Sequence, residues 1–295
     1  MGGTGPILVV GASGSVGGYL LRTSGPDRPV LGTYLSTPVP GAVRLDAAEP
    51  DAVSAVVGEV APSAVVLCAA LAAPDLCEAQ PELSHRANVR VPEVLAEVCG
   101  TRGIRLVHLS TDYVFDGTAG PYPEDAAPGP LNVYGRDKLR GEQAVLASGP
   151  TAAVLRTSVV YGGTRLGALD QVLHHLTRGL PLALSGEHRN TPTDVADLTW
   201  LLYRVLDCDA GGVYHAAGPR TMSRFDFGTA VARSCGLQTQ LIEPLVAATV
   251  AGRAPRPRAC GLLIGRAVAD FGYRPADLDE GLVRHYPQHL ASKRG

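Results

Sequence analysis

Tyr134 and Lys138 stand four residues apart in Tyr134-Gly135-Arg136-Asp137-Lys138, and their types and spacing suggest acid–base chemistry. The chain carries 26 lysines and arginines together, and only Lys138 and Lys293 are lysine; the latter lies in the polar C-terminal tail. A lysine kept in an arginine-rich background suggests a task for a compact, deprotonatable ammonium rather than a planar guanidinium. On a helix, residues i and i+4 share a face. Lys138 would then hold its charge against the Tyr134 phenol and lower its pKa, making Tyr134 a usable general acid or base. With ten tyrosines and two lysines in 295 residues, random placement gives roughly 0.07 such pairs, so the pair alone is only suggestive.

Two further motifs bear on it. His108-Leu109-Ser110-Thr111-Asp112-Tyr113-Val114-Phe115-Asp116-Gly117 begins in an apolar run and turns polar, as a strand does on leaving a sheet. Open α/β sheets bind ligands at that edge. Gly11-x-x-Gly14-x-x-Gly17 lies between the apolar Ile7-Leu8-Val9-Val10 and the helical Tyr19-Leu20-Leu21-Arg22. Glycines there allow a tight turn and close backbone approach to a pyrophosphate, and the following helix N-terminus offers amide donors. Dinucleotide binding is therefore expected around Gly11, Ser13, Gly14, Ser15, Val16 and Gly17. An acidic residue at the end of the second strand would select NAD. That region reads Gly32-Thr33-Tyr34-Leu35-Ser36-Thr37 without an acid. With Thr33 and Ser36 beside the cofactor, and Arg22, Ser36 and Thr37 able to meet a 2′-phosphate, NADP(H) is favoured over NAD(H). Asp46 is a candidate for the adenine edge or a helix cap.

The elements that must position these residues alternate along the first two-thirds of the chain. Strands are expected at 7–10, 29–34, 42–45, 64–68, 105–110 and 152–156, with helices at 52–60, 81–99 and 132–147. Short apolar runs alternating with helices argue a doubly wound parallel sheet covered on both faces, a Rossmann-type α/β fold. The last third is rich in Pro and Gly, with a loop over 252–257, and suggests a smaller mixed C-terminal lobe. The expected division is a nucleotide-binding domain of 1–156 plus about 168–208, and a substrate-binding lobe of 157–167 plus about 209–295.

Composition bounds the function. Apolar residues make up 45% and charged residues 18% of the chain, with net charge −2. That balance fits a globular domain and advertises neither nucleic acid nor an anionic membrane as partner. No apolar run is long enough to span a bilayer, and the Met1–Pro6 start lacks the basic region of a signal peptide. Cys68, Cys77, Cys99, Cys208, Cys235 and Cys260 show no metal-ligand spacing and read as buried free thiols in a reducing cytoplasm. His174-His175 reads as a helix-surface pair.

Taken together, the glycine loop, the Ser110-Thr111-Asp112-Tyr113 passage and Tyr134/Lys138 resemble the extended short-chain dehydrogenase/reductase superfamily. Within it the chain is similar to dTDP-4-dehydrorhamnose reductases and the related regulatory β subunit of methionine adenosyltransferase. Leu67-Cys68-Ala69-Ala70, Asn88, Pro130 to Glu142, Leu155 to Gly162, Thr191-Pro192-Thr193 and Arg253 to Arg258 extend the likeness over most of the chain. The resemblance implies that Thr111 hydrogen-bonds the substrate carbonyl, Tyr134 gives it a proton, and Lys138 tunes the phenol and binds the nicotinamide ribose. It also implies that Ala69 and Ala70 line the cofactor, with Asn88 in support, and that Asp112 and Tyr113 face the substrate. Related dehydratases place Asp-Glu after the threonine; the Asp112-Tyr113 pair here disfavours water elimination.

Departures from the pattern fall on the substrate side. Val159 stands where sugar-nucleotide reductases commonly carry Trp, and Leu71 and Ala72 replace two polar groups. Glu187-His188-Arg189 replaces a usual Asp-Gln, which makes His188 and Arg189 candidates for substrate contact. Arg256 and Arg258 are candidates for a diphosphate, whose geometry guanidinium matches. The implied activity is NADPH-dependent reduction of a keto group on a nucleotide-activated deoxysugar in the cytoplasm, with no metal and with a homodimer left open. The alternatives are an NADP-binding regulatory subunit without catalysis, and a reductase or epimerase of a different carbonyl substrate.

Overall fold

The computed structural model describes residues 5–163, 167–245 and 253–286. Lys293, the 287–295 tail, the first four residues, Gly252 and residues 164–166 of the 157–167 segment lie outside the described residues.

The chain runs β1 (Ile7–Val10), α1 (Ser15–Arg22), β2 (Val30–Tyr34), β3 (Val43–Arg44), α2 (Pro50–Val60), β4 (Ala64–Leu67), α3 (Pro74–Ala79) and α4 (Pro81–His85). A π turn at Arg86–Arg90 leads into α5 (Val91–Arg102), then β5 (Arg105–Thr111), α6 (Val133–Ala147), β6 (Ala153–Thr157), β7 (Val160–Tyr161) and α7 (Ala168–Leu176). The remainder is β8 (Leu182–Ser185), β9 (Arg189–Asn190), β10 (Thr193–Asp194), α8 (Val195–Leu206), β11 (Gly212–His215), β12 (Met222–Ser223), α9 (Arg224–Cys235), β13 (Ile242–Leu245), α10 (Gly265–Phe271) and α11 (Leu278–His285).

Seven strands form one sheet in the order β11-β6-β5-β4-β1-β2-β3, and every pairing in it is parallel. The chain winds outward from β1 to β3, crosses back to β4, and winds the other way. The crossover places the topological switch between β1 and β4, where such sheets open a ligand crevice at the strands' C-terminal ends. Both sheet faces are covered, which explains why β1 and β4 are buried along their whole length. Side chains of β1, β4 and β6 meet Val53, Val57, Val94, Leu95 and Val98 on one face. Alternate side chains of the same strands meet Leu20, Leu198, Leu201, Leu202 and Val205 on the other. This is the Rossmann-type architecture expected from the alternation of elements.

Two local features matter for the site. The expected 81–99 helix is interrupted by the π turn because Pro92 has no N–H to give to the Asn88 carbonyl one turn earlier. That carbonyl instead faces Gly141 of α6, where an added Cβ would come within 2.5 Å of it. Strand β5 runs one residue past the expected end and carries Thr111 inside the ladder, opposite Thr157 of β6.

The second lobe has its own core. Leu169, Val172, Leu173 and Leu176 of α7 and Leu182 of β8 pack with Phe227, Val231, Ile242 and Leu282. Of the 168–208 segment, α8 packs on the large sheet, while α7 and β8 join the second core. We therefore propose a division that moves 168–185 to the second lobe and leaves β11 and α10, within 209–295, with the large sheet.

Candidate active site

Gly11 makes the turn that β1 needs to hand over to α1. Its φ of 100° lies in the left-handed region that favours glycine. A Cβ there would sit 2.6 Å from the Ala69 backbone nitrogen. The Gly11 and Ala12 amides donate to the Thr33 carbonyl at 3.3 and 2.8 Å, so buried Thr33 braces the loop from beneath. The result is a cavity of about 510 Å³ with Gly11, Ser13, Gly14, Ser36, Asp46, Ala69 and Ala70 in its wall. Ser15, Val16 and Gly17 form the first turn of α1 outside that wall. Gly17 is required because a Cβ would clash with the Gly11 carbonyl. The glycine cradle and its backbone amides fit a dinucleotide pyrophosphate. Asn88 is fully buried and outside the wall. It fixes the adjoining loop by accepting from the Leu71 N–H at 3.1 Å and donating to its carbonyl at 3.3 Å.

Around the adenosine end the charges are mostly paired. Asp46 accepts from the Ala48 N–H at 3.1 Å in the turn before α2, without capping that helix, and meets Arg86 at 2.8 Å, which also meets Glu49. Arg22 and Thr37 border a neighbouring open cavity of about 410 Å³ that shares Ser13.

Residues 68–71 line the first cavity, and Ala72 and Pro74 line a second of about 670 Å³. Thr111, Asp112, Tyr113, Tyr134 and Val159 are all in its wall. Thr111 is positioned by β5, and Tyr134 by α6, whose start Asn132 caps by accepting the Gly135 N–H at 2.8 Å. Gly135 is needed because α6 begins directly against the Tyr113 carbonyl. The Tyr113 and Tyr134 rings meet edge-on, with centroids 5.8 Å apart. Thr111 Oγ1 donates to Asp112 Oδ1 and accepts from the Tyr113 N–H, both at 3.2 Å. Asp112 Oδ2 accepts from Ser158 Oγ and Asn190 Nδ2 at 2.6 Å each. Burial pushes the Asp112 carboxyl up to about 6, against those three hydrogen bonds, which lower it.

Burial pushes the Tyr134 phenol above its ordinary value, and the neighbouring Thr111 hydroxyl opposes that rise. Lys138 is 1% exposed. Its ammonium is held at 2.9 Å from His108 Nε2 and 2.8 Å from the Leu109 carbonyl. Burial brings it down to about 8, with Glu142 opposing the fall.

On the far wall, Asp170, Gln171, His174 and His175 of α7 and Arg224 of α9 complete the larger cavity. The histidine pair expected to sit on a plain helix surface thus faces the same space as Thr111 and Tyr134. Arg224 makes no hydrogen bond or ion pair among the described residues, and its sequence context carried no signal for this position. The expected substrate-side cations are engaged by other groups, and Arg256 also neighbours Tyr113 of the wall. Arg256 grips Asp75, with its Nη2 2.8 Å from Oδ2, and Arg258 is exposed beside Glu187. Arg189 donates to the Thr221 carbonyl at 3.3 Å, and His188 Nδ1 pairs with Ser185 Oγ at 2.8 Å. None of these four is in the wall.

All six cysteines are free, and Cys208 is exposed rather than buried because it follows the surface end of α8. No helix among the described residues is long and apolar enough to cross a membrane.

Comparison with known proteins agrees with this architecture. A family model described as RmlD substrate binding domain matches residues 5–290. The chain is 34% identical over 260 residues to methionine adenosyltransferase 2 subunit beta of Xenopus laevis, covering 85% of this chain and 78% of that protein. It is 34% identical over 296 residues to dTDP-4-dehydrorhamnose reductase of Mycobacterium tuberculosis H37Rv, covering 97% and 91%. A crystal structure of dTDP-4-dehydrorhamnose reductase from Bacillus anthracis in complex with NADP shares the fold, with a TM-score of 0.89 at 24% identity, covering 96% and 99%.

Proposed function

The chain belongs to the RmlD substrate binding domain family, and we propose that it is an NADPH-dependent reductase of a keto group on a nucleotide-activated 6-deoxyhexose. The observation that carries this reading is Thr111 and Tyr134 together on the wall of a cavity that adjoins the glycine-loop cavity through residues 68–74. Gly11, Ser13, Gly14, Ala69 and Ala70 would hold the cofactor. Ser36, with Arg22 and Thr37 bordering the neighbouring cavity, supports NADP over NAD. Reduced nicotinamide, when bound, supplies the hydride.

The chain's own residues supply the rest. Carbonyl reduction places negative charge on oxygen, and donors aimed there lower the barrier. Tyr134, kept protonated by burial, gives its proton to that oxygen. Thr111 offers a second donor when its hydroxyl turns from Asp112. Among the described residues Arg224 is an uncommitted cation in the cavity, and its guanidinium suits the diphosphate of a nucleotide sugar better than Arg256, which Asp75 already holds. Val159 leaves an aliphatic wall against the sugar.

NADPH consumption with a dTDP-4-keto-6-deoxyhexose, lost in Tyr134→Phe, is the expected result. The likeness to methionine adenosyltransferase 2 subunit beta favours one rival, a cofactor-binding subunit without turnover. Absence of NADPH oxidation with every keto-sugar tried, together with co-purification of a partner enzyme, would establish that rival.

A further inference from the structure

We propose that His108 is the positioning residue for Lys138, a neutral imidazole built into the sheet to accept one ammonium N–H and fix where the other donors point. The pairing itself is independent of the reductase reading; its consequence for turnover rests on that reading.

His108 occupies the middle of β5 between Val107 and Leu109 and is fully buried. Its Nε2 lies 2.9 Å from Lys138 Nζ. Two positive charges at that separation and depth would repel strongly. Burial and Lys138 together push the imidazole well below its ordinary value, so the ring is neutral. For Nε2 to accept, the ring proton must sit on Nδ1, whose neighbour is the Leu67 backbone on the adjacent strand β4, outside close hydrogen-bond geometry. A buried donor left in that state is costly, and an apolar residue would suit this strand better. The close side-chain contact that offsets the cost is the ammonium. With the Leu109 carbonyl taking a second N–H at 2.8 Å, one donor of Lys138 remains uncommitted.

The other ionisable groups facing Lys138 are few. Glu142 lies one turn further along α6 and is tied to Arg156 of β6, Cys68 follows β4, and Tyr134 lies one turn back. None of them is hydrogen-bonded to Nζ. His108 is thus the side chain that decides its direction, and as an acceptor it favours the charged ammonium.

The chain's lysine content makes a direct test practical. Lysine labelled at Cε and Nζ gives two side-chain signals, and Lys293→Arg assigns the one from the tail. Titration of the intact protein should show Lys138 with a midpoint near 8. His108→Leu, shape-compatible with the strand, should lower that midpoint by roughly one unit or more, the worth of a lost hydrogen bond to a charged group. His108→Gln, which keeps an acceptor, should restore most of it. The alkaline limb of NADPH-dependent reduction should move with the NMR midpoint in each variant. An unchanged Lys138 midpoint in folded His108→Leu would overturn the proposal. So would imidazole 15N shifts showing His108 doubly protonated near neutral pH in the native protein, a measurement that needs no variant. If no keto-sugar is turned over but the midpoints shift as stated, the reductase reading fails and the positioning role stands.

Discussion

Glu142→Gln should be among the most destabilising single changes in the chain. Glu142 and Arg156 join α6 to β6 directly beneath the site, with side chains only 1% and 5% exposed. The pair is bidentate: Arg156 Nε donates to Oε1 at 3.0 Å and Nη2 to Oε2 at 2.7 Å. Glutamine preserves the shape but replaces one acceptor oxygen by an amide donor that faces a guanidinium N–H. It also leaves the guanidinium charge uncompensated away from water. Arg156 already has a buried Nη1 without a partner and relies otherwise on the Phe115 ring, 5.1 Å from its guanidinium carbon. Breaking one side of such a pair costs about 3–5 kcal/mol, whereas replacing both members by apolar groups is often near neutral. Urea unfolding followed through Trp200, the single tryptophan, measures both, and a nonionic denaturant avoids screening the pair. Glu142→Gln combined with Arg156→Met should recover to within about 1–2 kcal/mol of the parent. Glu142 also holds the Lys138 pKa up, so the single variant should shift the alkaline limb of turnover to lower pH. A loss below about 1 kcal/mol in the single variant, or a double variant no more stable than the single one, would refute the argument that desolvated charge dominates this seam.

Other perturbations probe the same region. Gly135→Ala should cost about 1–3 kcal/mol and reduce turnover, because its methyl meets the Tyr113 backbone carbonyl and α6 must shift; thermal melting together with a kinetic assay reads both. Val159→Gly should be neutral or slightly stabilising, within about 1 kcal/mol, although it removes a half-buried isopropyl group. The Val159 φ of 43° puts a β-branched residue in the left-handed region, and glycine relieves that strain; a loss above about 2 kcal/mol on chemical denaturation would contradict it. Asp112→Asn tests a linkage whose sign is fixed by a raised folded-state pKa of about 6 against an ordinary carboxyl value of 3.8. The native carboxyl's contribution is fully present below the unfolded pKa and is lost as pH rises through 6. Relative to the parent, the asparagine variant should therefore gain roughly 3 kcal/mol between pH 4 and 7, and parallel stability curves across that window would contradict it.

What was legible in the sequence was what local spacing determines. The strand–glycine–helix run at 7–22, the alternation that builds the parallel sheet, and the Tyr134–Lys138 spacing on one helix all depend on neighbours in sequence. The helix at 81–99 was legible, and Pro92 inside it is a local signal for the break at Arg86–Arg90, whereas the approach of Gly141 on another helix to the Asn88 carbonyl was hidden. Partnerships across long separations were also hidden. Arg256 reads as a free cation until Asp75, 181 residues away, is seen to hold it. Arg224 carries no motif and enters the cavity only because α9 packs on α7. The His174-His175 pair sits on a helix as expected, yet the face it occupies belongs to the cavity. His108 reads as a core residue of an apolar strand, and only the fold brings Lys138 against it.

The two residues that first suggested chemistry sit in different surroundings. A lysine that lowered a phenol's pKa would help most in alcohol oxidation, where the tyrosine must arrive deprotonated as a base. Here the ammonium is turned to His108 and Leu109, and burial leaves Tyr134 protonated throughout the neutral range. A phenol in that state is always loaded to deliver a proton, and an alkoxide forming on substrate oxygen is basic enough to take it. The same burial that makes Tyr134 a poor base therefore biases the proposed chemistry toward reduction. Asp112, beside Thr111 and mostly ionised above pH 6, adds to that bias by placing negative charge where a tyrosinate would otherwise have to form.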